Sequence, residues 1–171
     1  EPCEDLHQNL QARGHKTFTD VSQAKQELKG KVDVVVSFAV IEHVQEPLQH
    51  LQDISDLLKP NGVCYLETDN INSILMKLNT SAFERFFYRT AHLWYFNAET
   101  LNGLCKKVGF SNIDISFRHI YDLSNFVLWL KENQPTGLNK LNLFDERSDS
   151  AWKSMLEATG MGDLIFFKLT K

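Results

Sequence analysis

Several features that would assign a protein class directly are missing from this sequence of 171 residues. Its formal net charge is −4 and its 18 basic residues are scattered, so it has no basic stripe of the kind that binds nucleic acid. It also has no apolar run long enough to span a bilayer, and no signal-peptide pattern at its start. We therefore expect a protein that acts on neither nucleic acid nor a membrane.

Cysteine is scarce as well. The three cysteines are an odd number and lack the spacing of a metal site, which argues against a zinc-binding motif and a disulfide framework. We therefore expect Cys3, Cys64 and Cys105 to be reduced thiols, as in a cytoplasmic protein.

The apolar content, by contrast, is sufficient for one core. Apolar residues make up 43% of the chain and no repeat or linker divides it, so we expect a single domain over residues 1–171. Apolar periodicity predicts helices at residues 5–12, 47–59, 98–108 and 123–130, and strands at 16–19, 34–37, 63–67, 113–118 and 164–170. Residues 134–150 form a polar stretch with no element assigned. The strand–helix–strand order is typical of an open parallel sheet.

The run VDVVVSFAVIEHVQEPLQHL, which begins at residue 32, joins a predicted strand to a predicted helix. Residues 34–36 are β-branched without alternation, which is typical of a strand covered on both faces. Pro47 suits the first turn of the helix. Glu42 and His43 lie between the two elements, where ligands bind in open α/β sheets. We therefore place Glu42 and His43 at a functional site.

Residues 33–70, DVVVSFAVIEHVQEPLQHLQDISDLLKPNGVCYLETDN, resemble a motif of class I S-adenosylmethionine-dependent methyltransferases of the small-molecule type. HLWYFNAETLNGLCKKVGF, from His92, and GDLIFFKLTK, from Gly162, are similar to later segments of that family. The resemblance implies an α/β, Rossmann-like fold with a mostly parallel sheet, helices on both faces and an antiparallel last strand. It also implies S-adenosylmethionine as methyl donor, released as S-adenosylhomocysteine, and a small-molecule or glycan-precursor acceptor methylated on oxygen, nitrogen or carbon.

The same resemblance carries five cofactor-binding residues over to this sequence. It implies that Glu1 binds the ribose hydroxyls, that Asp20 faces the adenine amino group and that Val21 contacts the adenine ring. Ser37 and Phe38, at the end of a predicted strand, would line the methionine part of the cofactor. Acidic residues at strand ends are also common in solvated turns, and this alternative stays open for Asp20.

The glycine-rich loop that follows the first strand in this family is missing. Its glycines let the backbone approach the cofactor, whereas the G-x-G at Gly160-Met161-Gly162 precedes a predicted strand instead of following one. The chain opens at Glu1-Pro2 without an initiator methionine, so we expect the first strands and their loop to precede Glu1. The alternative is a catalytically silent Rossmann-like domain with a binding or regulatory role.

Two histidines are candidates for a general base. In the reaction that the resemblance implies, an acceptor atom attacks the sulfonium methyl group in line, and a base takes the acceptor's proton. His43 is the first candidate and His92 the second, because imidazole exchanges a proton near neutral pH. For His43 the alternative is a structural hydrogen bond to backbone at the helix entry. A metal site through Glu42 and His43 is disfavoured, because Ala39 stands where some relatives carry another acidic residue, and we expect no metal.

The aromatic residues between positions 71 and 96 predict a helical lid over the acceptor. This segment is longer than most connections of its kind, and such length is usual for functional loops. Amphipathic rings suit a pocket wall, so we expect the acceptor to contact Tyr88, Trp94 and Tyr95. Core packing is the alternative for the phenylalanines. Arg85 and Arg89, four apart on one predicted helix face, could meet an anionic acceptor, although solvated arginines are commoner.

Overall fold

The computed structural model describes residues 3–78, 81–134 and 144–171. The helices in these residues are α1 (Glu4–Ala12), α2 (Val21–Leu28), α3 (Pro47–Leu57), α4 (Ile74–Lys77), α5 (Ser81–Phe87), α6 (Ala98–Val108), α7 (Leu123–Glu132) and α8 (Glu146–Ala158). The strands are β1 (Val32–Phe38), β2 (Leu58–Asp69), β3 (Asn112–Arg118) and β4 (Leu164–Thr170). None of the helices described is both long enough and apolar enough to cross a membrane.

The strands form one mixed sheet in the order β1-β2-β4-β3. β1 and β2 are parallel, whereas β4 is antiparallel to both of its neighbours. β1, β2 and β3 therefore run in the same direction and end at one edge of the sheet. The α/β class and the antiparallel last strand are confirmed.

The predicted strand–helix–strand unit is present as β1, α3 and β2. Val34 lies opposite Val63 and Ser37 opposite Leu66 in the parallel register. Pro47 occupies the first turn of α3, where its missing N–H leaves no hydrogen bond unmade. The helix ends at Leu57, two residues earlier than predicted, because β2 already begins at Leu58.

The expectation that residues 34–36 are covered on both faces is wrong for this chain. Val35 packs against the core, but Val34 and Val36 are 52% and 58% exposed. Successive side chains of a strand point to opposite faces, so these two valines lie on the face away from the core. β1 is also the edge strand of the sheet that the described residues form.

The predicted strand at residues 16–19 is wrong, whereas the helix before it is confirmed as α1. Lys16 forms an ion pair with Glu27 of α2 and lies over the ring of Phe18. This segment therefore makes its contacts through side chains, and in the described part of the chain it joins no ladder. A short strand needs such a ladder to satisfy its backbone groups.

Capping residues fix both ends of α6, whose bounds match the prediction, and the start of α7. The side chain of Asn97 accepts a hydrogen bond from the Thr100 N–H at 2.8 Å, and Gly109 ends α6 in the left-handed region with φ 94°. Asp122 caps α7 by accepting from the Asn125 N–H at 2.7 Å.

The sequence did not predict helix α8, which begins in the polar stretch at 134–150. Residues 135–143 of that stretch lie outside the described residues. Asp145 caps this helix by accepting from the Ser148 N–H at 2.8 Å. Only Leu156 in it is buried, so its apolar periodicity is too weak to identify a helix from sequence.

Two groups of buried side chains hold the fold together. The first, which we name the sheet core, joins α3 and α6 to one face of the sheet. Its fully buried members include Leu51, Leu66, Leu101, Ile165, Phe167 and Leu169. It also includes Cys64 and Cys105, and burial raises the pKa of each thiol to about 12. The second, which we name the lid cluster, consists of Leu75, Phe83, Phe87 and Trp129.

Candidate functional site

Four loops meet at the sheet edge where β1, β2 and β3 end and β4 begins. The buried amide of Asn70, just after β2, joins two of these loops by donating to the carbonyl oxygens of Gly160 and Gly162 at 3.1 and 2.8 Å. A side chain at Gly162 would meet the carbonyl oxygen of Arg118 at 2.8 Å. The G-x-G sequence thus allows a close approach of two loops. This edge is where α/β sheets of this kind bind ligands.

The loop after β1 is hydrogen-bonded to the end of the predicted lid. The backbone N–H groups of Leu93 and Trp94 donate to the carbonyl oxygen of Glu42 at 2.8 and 3.2 Å. The indole N–H of Trp94 donates to the carbonyl oxygen of Val44 at 2.9 Å. These three bonds fix the lid segment over the end of β1.

Glu42 is a buried carboxylate at this junction. It is 3% exposed, and its Oε2 atom accepts a hydrogen bond from the Thr68 hydroxyl at 3.0 Å. Ala39 nearby has a φ of 51°, and its N–H donates to the Glu67 carbonyl oxygen at 3.1 Å. A left-handed conformation costs a residue other than glycine roughly 1 to 3 kcal/mol, and such strain clusters at binding sites.

The two predicted base candidates lie side by side. The rings of His43 and His92 are 4.7 Å apart, edge to face. His43 Nδ1 lies 2.8 Å from the Ala91 carbonyl oxygen. A carbonyl oxygen only accepts, so this bond places the proton on Nδ1 and leaves Nε2 as a proton acceptor. His43 thus bonds to backbone, as the structural alternative held, but to the lid rather than to the entry of α3.

His92 is more deeply buried than His43. Its side chain is 8% exposed, and within the described residues its Nδ1 atom has no hydrogen-bond partner. Asp69 Oδ2 lies 3.5 Å from that atom. The Nδ1 atom of His92 is therefore buried beside the carboxyl group of Asp69.

Asp69, the last residue of β2, lies among several charged groups at the site. Burial raises the pKa of its carboxyl group, and the negative charges of Glu42 and Asp163 raise it further. His92 and Arg89 act in the opposite direction, but the net shift of the pKa is upward. The first cause of the upward shift is therefore the burial of the carboxyl group itself.

Glu42, His43 and His92 together form a group that could hold a cation. Each offers one oxygen or nitrogen atom, and these atoms lie within 4.8 Å of one another. Carboxylate oxygen and imidazole nitrogen are common ligands of divalent metals. The sequence disfavoured this arrangement because of Ala39, but the fold brings in His92 from the lid as a third group.

A cavity of about 250 Å³ lies beside this histidine pair, between the lid cluster and the strand ends. Its walls are Asp69, Ser73, Leu75, Phe83, Phe86, Phe87, Arg89, Tyr121, Asn125, Trp129 and Asp163. Apolar walls with a few polar groups are typical of sites for small molecules.

The carboxylate of Asp163, in the cavity wall, contacts residues outside the described wall. Its Oδ2 atom accepts a hydrogen bond from the Ile120 N–H at 3.0 Å. His119 Nδ1 also lies 3.0 Å from Oδ2, a close contact without hydrogen-bond geometry. The indole N–H of Trp152 points at His119 Nε2 at 3.2 Å, so it fixes the His119 ring. Asp163 therefore has a defined position at the cavity wall.

Three of the predicted cofactor residues lie at the amino-terminal end of the chain. Asp20 caps α2 by accepting from the Gln23 N–H at 3.0 Å, and it also accepts from the Ser22 hydroxyl. The Ser22 hydroxyl and then the Gln23 N–H lower the pKa of this carboxyl group. Val21, 37% exposed, opens the helix. Asp20 thus has a local capping function, whereas Glu1 lies outside the described residues.

Ser37 and Phe38, the other two predicted cofactor residues, end β1. Ser37 is buried, and its hydroxyl lies 3.2 Å from His50 Nε2 in α3, where burial lowers the pKa of His50. Phe38 is 46% exposed and its ring contacts Phe166 at 5.7 Å. Phe38 can therefore offer its ring to a ligand, but Ser37 only its backbone. In the part of the chain described, no hydrogen bond or ring contact joins either residue to Asp20.

Of the three residues predicted to contact the acceptor, Tyr88 and Tyr95 pack against each other, whereas Trp94 is bonded to Val44, outside the lid. Tyr95 Oη accepts from the Arg89 N–H at 2.6 Å and donates to the Phe87 carbonyl oxygen at 3.2 Å. Its ring contacts Tyr88 at 4.9 Å, edge to face. Tyr88 and Trp94 are about half exposed. Tyr88, Trp94 and Tyr95 are not among the cavity walls described, so their contact with an acceptor stays a prediction.

The prediction that Arg85 and Arg89 share a helix face is wrong. Helix α5 ends at Phe87, so Arg89 lies beyond it. The guanidinium of Arg89 lies 5.3 Å from the centre of the Phe86 ring and contributes to the cavity wall. Arg85 is exposed to solvent.

Sequence reasoning missed the cavity residues that follow β3, such as Trp129 and Asp163. Trp129 is 4% exposed although it lies off the apolar face that predicted α7. An aromatic residue outside the expected apolar face was the available signal. Asp163 gave none, because an acidic residue before a strand is ordinary.

Curated relatives match part of this chain. A ubiquinone biosynthesis O-methyltransferase of Ruegeria pomeroyi is 31% identical over 98 residues, which are 54% of this chain and 40% of that protein. The enzyme of the same name from Cereibacter sphaeroides is 30% identical over 89 residues, 49% of this chain and 36% of that protein. The matches thus span less than half the length of these relatives.

Solved structures have the same fold. A methyltransferase of Thermotoga maritima, described as S-adenosylmethionine-dependent and a possible histamine N-methyltransferase, matches with a TM-score of 0.66 at 19% identity. The match covers 100% of this chain and 70% of that one. An S-adenosylmethionine-dependent methyltransferase of Archaeoglobus fulgidus gives a TM-score of 0.63 at 15% identity, covering 100% and 74%. The Rossmann-like methyltransferase fold is therefore confirmed.

A family model settles the classification of the chain itself. The model described as a methyltransferase domain matches residues 1–115, more than half of the sequence. This match includes β1, α3, β2 and the Glu42–His43 junction. The chain belongs to the methyltransferase-domain family.

Proposed function

We propose that this chain is part of an enzyme that transfers a methyl group from S-adenosylmethionine to a small-molecule acceptor. The observation that carries the proposal is the position of the His43–His92 pair. His43 lies in the loop after β1, the strand whose end the resemblance assigns to the cofactor, and Asp69, a wall of a cavity suited in size to a small molecule, lies 3.5 Å from His92 Nδ1. Family membership supports the same activity.

The residues of this chain fit one side of the cofactor. Phe38 presents an exposed ring at the end of β1, which can cover the methionine part together with backbone oxygen of Ser37. Asp20, with Val21 beside it, is an exposed carboxylate able to accept from the adenine amino group, and Glu1 would accept from the ribose. The cofactor would supply an electrophilic methyl group on its sulfonium centre.

The histidine pair would accept the proton that the acceptor releases. The Ala91 carbonyl oxygen holds the proton of His43 on Nδ1, so Nε2 can take a proton from the acceptor. His92 offers its buried Nδ1 atom beside the cavity. A base of this kind accelerates such reactions by about 10² to 10⁴-fold.

The segment from residue 71 to residue 96 would act as the lid over the acceptor. Phe83, Phe87 and Trp129 would exclude water from the cavity, and Tyr88, Trp94 and Tyr95 would contact the acceptor at its rim. The hydrogen bonds from Leu93 and Trp94 to Glu42 support closure of this segment over the end of β1. We place the enzyme in the cytoplasm, in keeping with the buried thiols of Cys64 and Cys105.

Calorimetry with S-adenosylhomocysteine tests the cofactor assignment. We expect binding to the protein, and we expect Asp20→Asn to weaken it, because Asn keeps the cap of α2 but loses the negative charge. The matched control is Asp114→Asn, an exposed carboxylate in the middle of β3, which should leave the affinity unchanged. An absence of binding heat for the unaltered full-length protein would overturn the proposal.

A further inference from the structure

The polar side chains of the cavity wall are those of Asp69, Asp163, Ser73, Tyr121, Asn125 and Arg89. Asp69 and Asp163 contribute two carboxylates, and Ser73 contributes a hydroxyl. Ser73 is 2% exposed, yet in the described part of the chain its Oγ atom has no hydrogen-bond partner. A buried hydroxyl without a partner is costly, so its presence in a cavity wall indicates that a bound molecule completes it.

The remaining wall is aromatic. The rings of Phe83 and Trp129 meet edge to face at 5.0 Å, and Phe86 lies 5.2 Å from Trp129. Aromatic faces attract cations, as the guanidinium of Arg89 over Phe86 already illustrates in this cavity. The walls therefore suit a positively charged group as well as an apolar body.

We propose that the cavity binds an acceptor that carries a primary ammonium group on an apolar, aryl-sized body. An ammonium group has three N–H donors and no acceptor, which matches two carboxylates and one unpartnered hydroxyl in the same cavity. Two carboxylates against the single guanidinium of Arg89 give the cavity a net negative charge. This inference rests on the proposed function, whose acceptor it specifies.

The cavity wall meets the proposed reaction site at Asp69. Asp69 Oδ2 lies 3.5 Å from His92 Nδ1, and the His92 ring lies against His43. An acceptor held at Asp69 is therefore next to the histidine pair. His119 and Trp152 stand behind Asp163 and keep the second carboxylate in place.

Several cavity residues lie outside the part of the chain that the family model matches. Tyr121, Asn125, Trp129 and Asp163 all lie beyond residue 115, where the family match ends. One side of the cavity is thus built from residues outside the shared domain. Acceptor specificity can differ even where the methyl-transfer machinery is shared.

Calorimetry with three aromatic probes of equal size tests the inference. The protein, saturated with S-adenosylhomocysteine, is titrated at pH 7.5 with 2-phenylethylamine, 2-phenylethanol or phenylacetate. We expect the ammonium probe to bind about tenfold more tightly than the neutral alcohol, because charge-assisted hydrogen bonds are stronger than neutral ones, and phenylacetate to bind most weakly. Equal affinity for amine and alcohol, or tightest binding of phenylacetate through Arg89, would overturn it.

Two variants assign the selectivity to the cavity. Asp69→Asn should reduce the affinity for the ammonium probe by about tenfold and leave the affinity for the alcohol nearly unchanged. Ser73→Ala should reduce the ammonium affinity less, and it serves as the second variant if Asp69→Asn fails to fold. Asp114→Asn, outside the cavity, is the matched control for loss of a negative charge. Unchanged amine selectivity in the two cavity variants would contradict the proposed site.

The outcomes also separate this inference from the proposed function. Binding of S-adenosylhomocysteine without any preference for the amine would leave the methyltransferase proposal standing and remove the ammonium site. A preference for the amine in a protein that does not bind S-adenosylhomocysteine would do the reverse.

Discussion

The sheet core and the lid cluster use apolar side chains for different ends. In the sheet core, Leu51, Leu101 and Phe167 are fully buried by aliphatic neighbours from α3, α6 and the sheet. In the lid cluster, Phe83, Phe87 and Trp129 are buried to a similar degree but surround a cavity of about 250 Å³. The first region is filled, whereas the second is left open.

The cavity beside the lid cluster is also lined by charged side chains, those of Asp69, Asp163 and Arg89. A filled aliphatic core gains the full transfer free energy of its side chains, and an open aromatic cavity forgoes part of it. The difference indicates that the sheet core provides stability and the lid cluster provides binding.

Truncation of the sheet core should have the largest effect. Phe167→Ala removes a fully buried ring from β4 and should lower the free energy of unfolding by about 3 to 5 kcal/mol. Lys168→Ala, the exposed neighbour on the same strand, is the control and should change it by less than about 0.5 kcal/mol. Urea unfolding measures both. A loss for Phe167→Ala as small as that for the control would contradict the distinction between the two regions.

A substitution beside the cavity should instead affect turnover. His92→Asn should lower the rate of methyl transfer by about 10²-fold or more, with nearly unchanged affinity for S-adenosylhomocysteine, because His92 lies 3.5 Å from Asp69 of the cavity wall, whereas the predicted cofactor residues lie on other segments. His15→Asn, at an exposed position, is the matched control. Equal losses of cofactor affinity and turnover would make His92 structural, and full activity would remove it from the site.

A substitution that loosens the attachment of the lid should have a smaller effect than either of these two. Trp94→Phe keeps an aromatic ring but removes the indole N–H that donates to the Val44 carbonyl oxygen. The loss of this hydrogen bond should weaken the attachment of the lid by about 0.5 to 1.5 kcal/mol. Hydrogen exchange should then be faster at the Leu93 and Trp94 amides, whereas the β2 and β4 amides should keep their protection. Faster exchange throughout the sheet would show that lid and core open together.

His50, in α3 beside the sheet core, should give a small pH dependence. Burial lowers the pKa of His50, so the unfolded chain binds a proton at a higher pH than the folded protein does. Stability from this residue is therefore present above the ordinary pKa of histidine and is lost as the pH falls through it. His50→Gln should lose less stability than the unaltered protein between pH 7.5 and pH 5, and parallel losses would contradict this assignment.

The elements that the sequence predicted well are those with strong local signals. Pro47, Asn97 and Gly109 act through their own backbone or side chain, so the start of α3 and both ends of α6 were predictable. Helix α8 was not, because Leu156 alone is buried on it. The predicted strand at 16–19 failed for a related reason, since strand formation depends on a distant partner.

The candidate site was predictable only in part. Its position at the strand ends and the choice of Glu42 and His43 came from the pattern at 33–70 and its resemblance to a family. His92 was chosen from the aromatic segment at 71–96. The contact of His43 with His92 and Ala91 joins residues almost 50 positions apart, which no local pattern reveals. The acceptor contacts predicted at Tyr88, Trp94 and Tyr95 remain untested.

The sequence by itself predicted the class of fold and the β1–α3–β2 unit, because apolar periodicity and capping residues depend on neighbouring positions, and it indicated the family through the motif at residues 33–70. Only the tertiary structure decided which residues enclose the cavity. Asp69 ends β2, Ser73 and Asp163 lie in two connections and Trp129 lies in α7, and they meet because β4 inserts between β2 and β3. A sheet order that crosses the sequence order brings distant residues together through long-range pairing, which no window of the sequence contains.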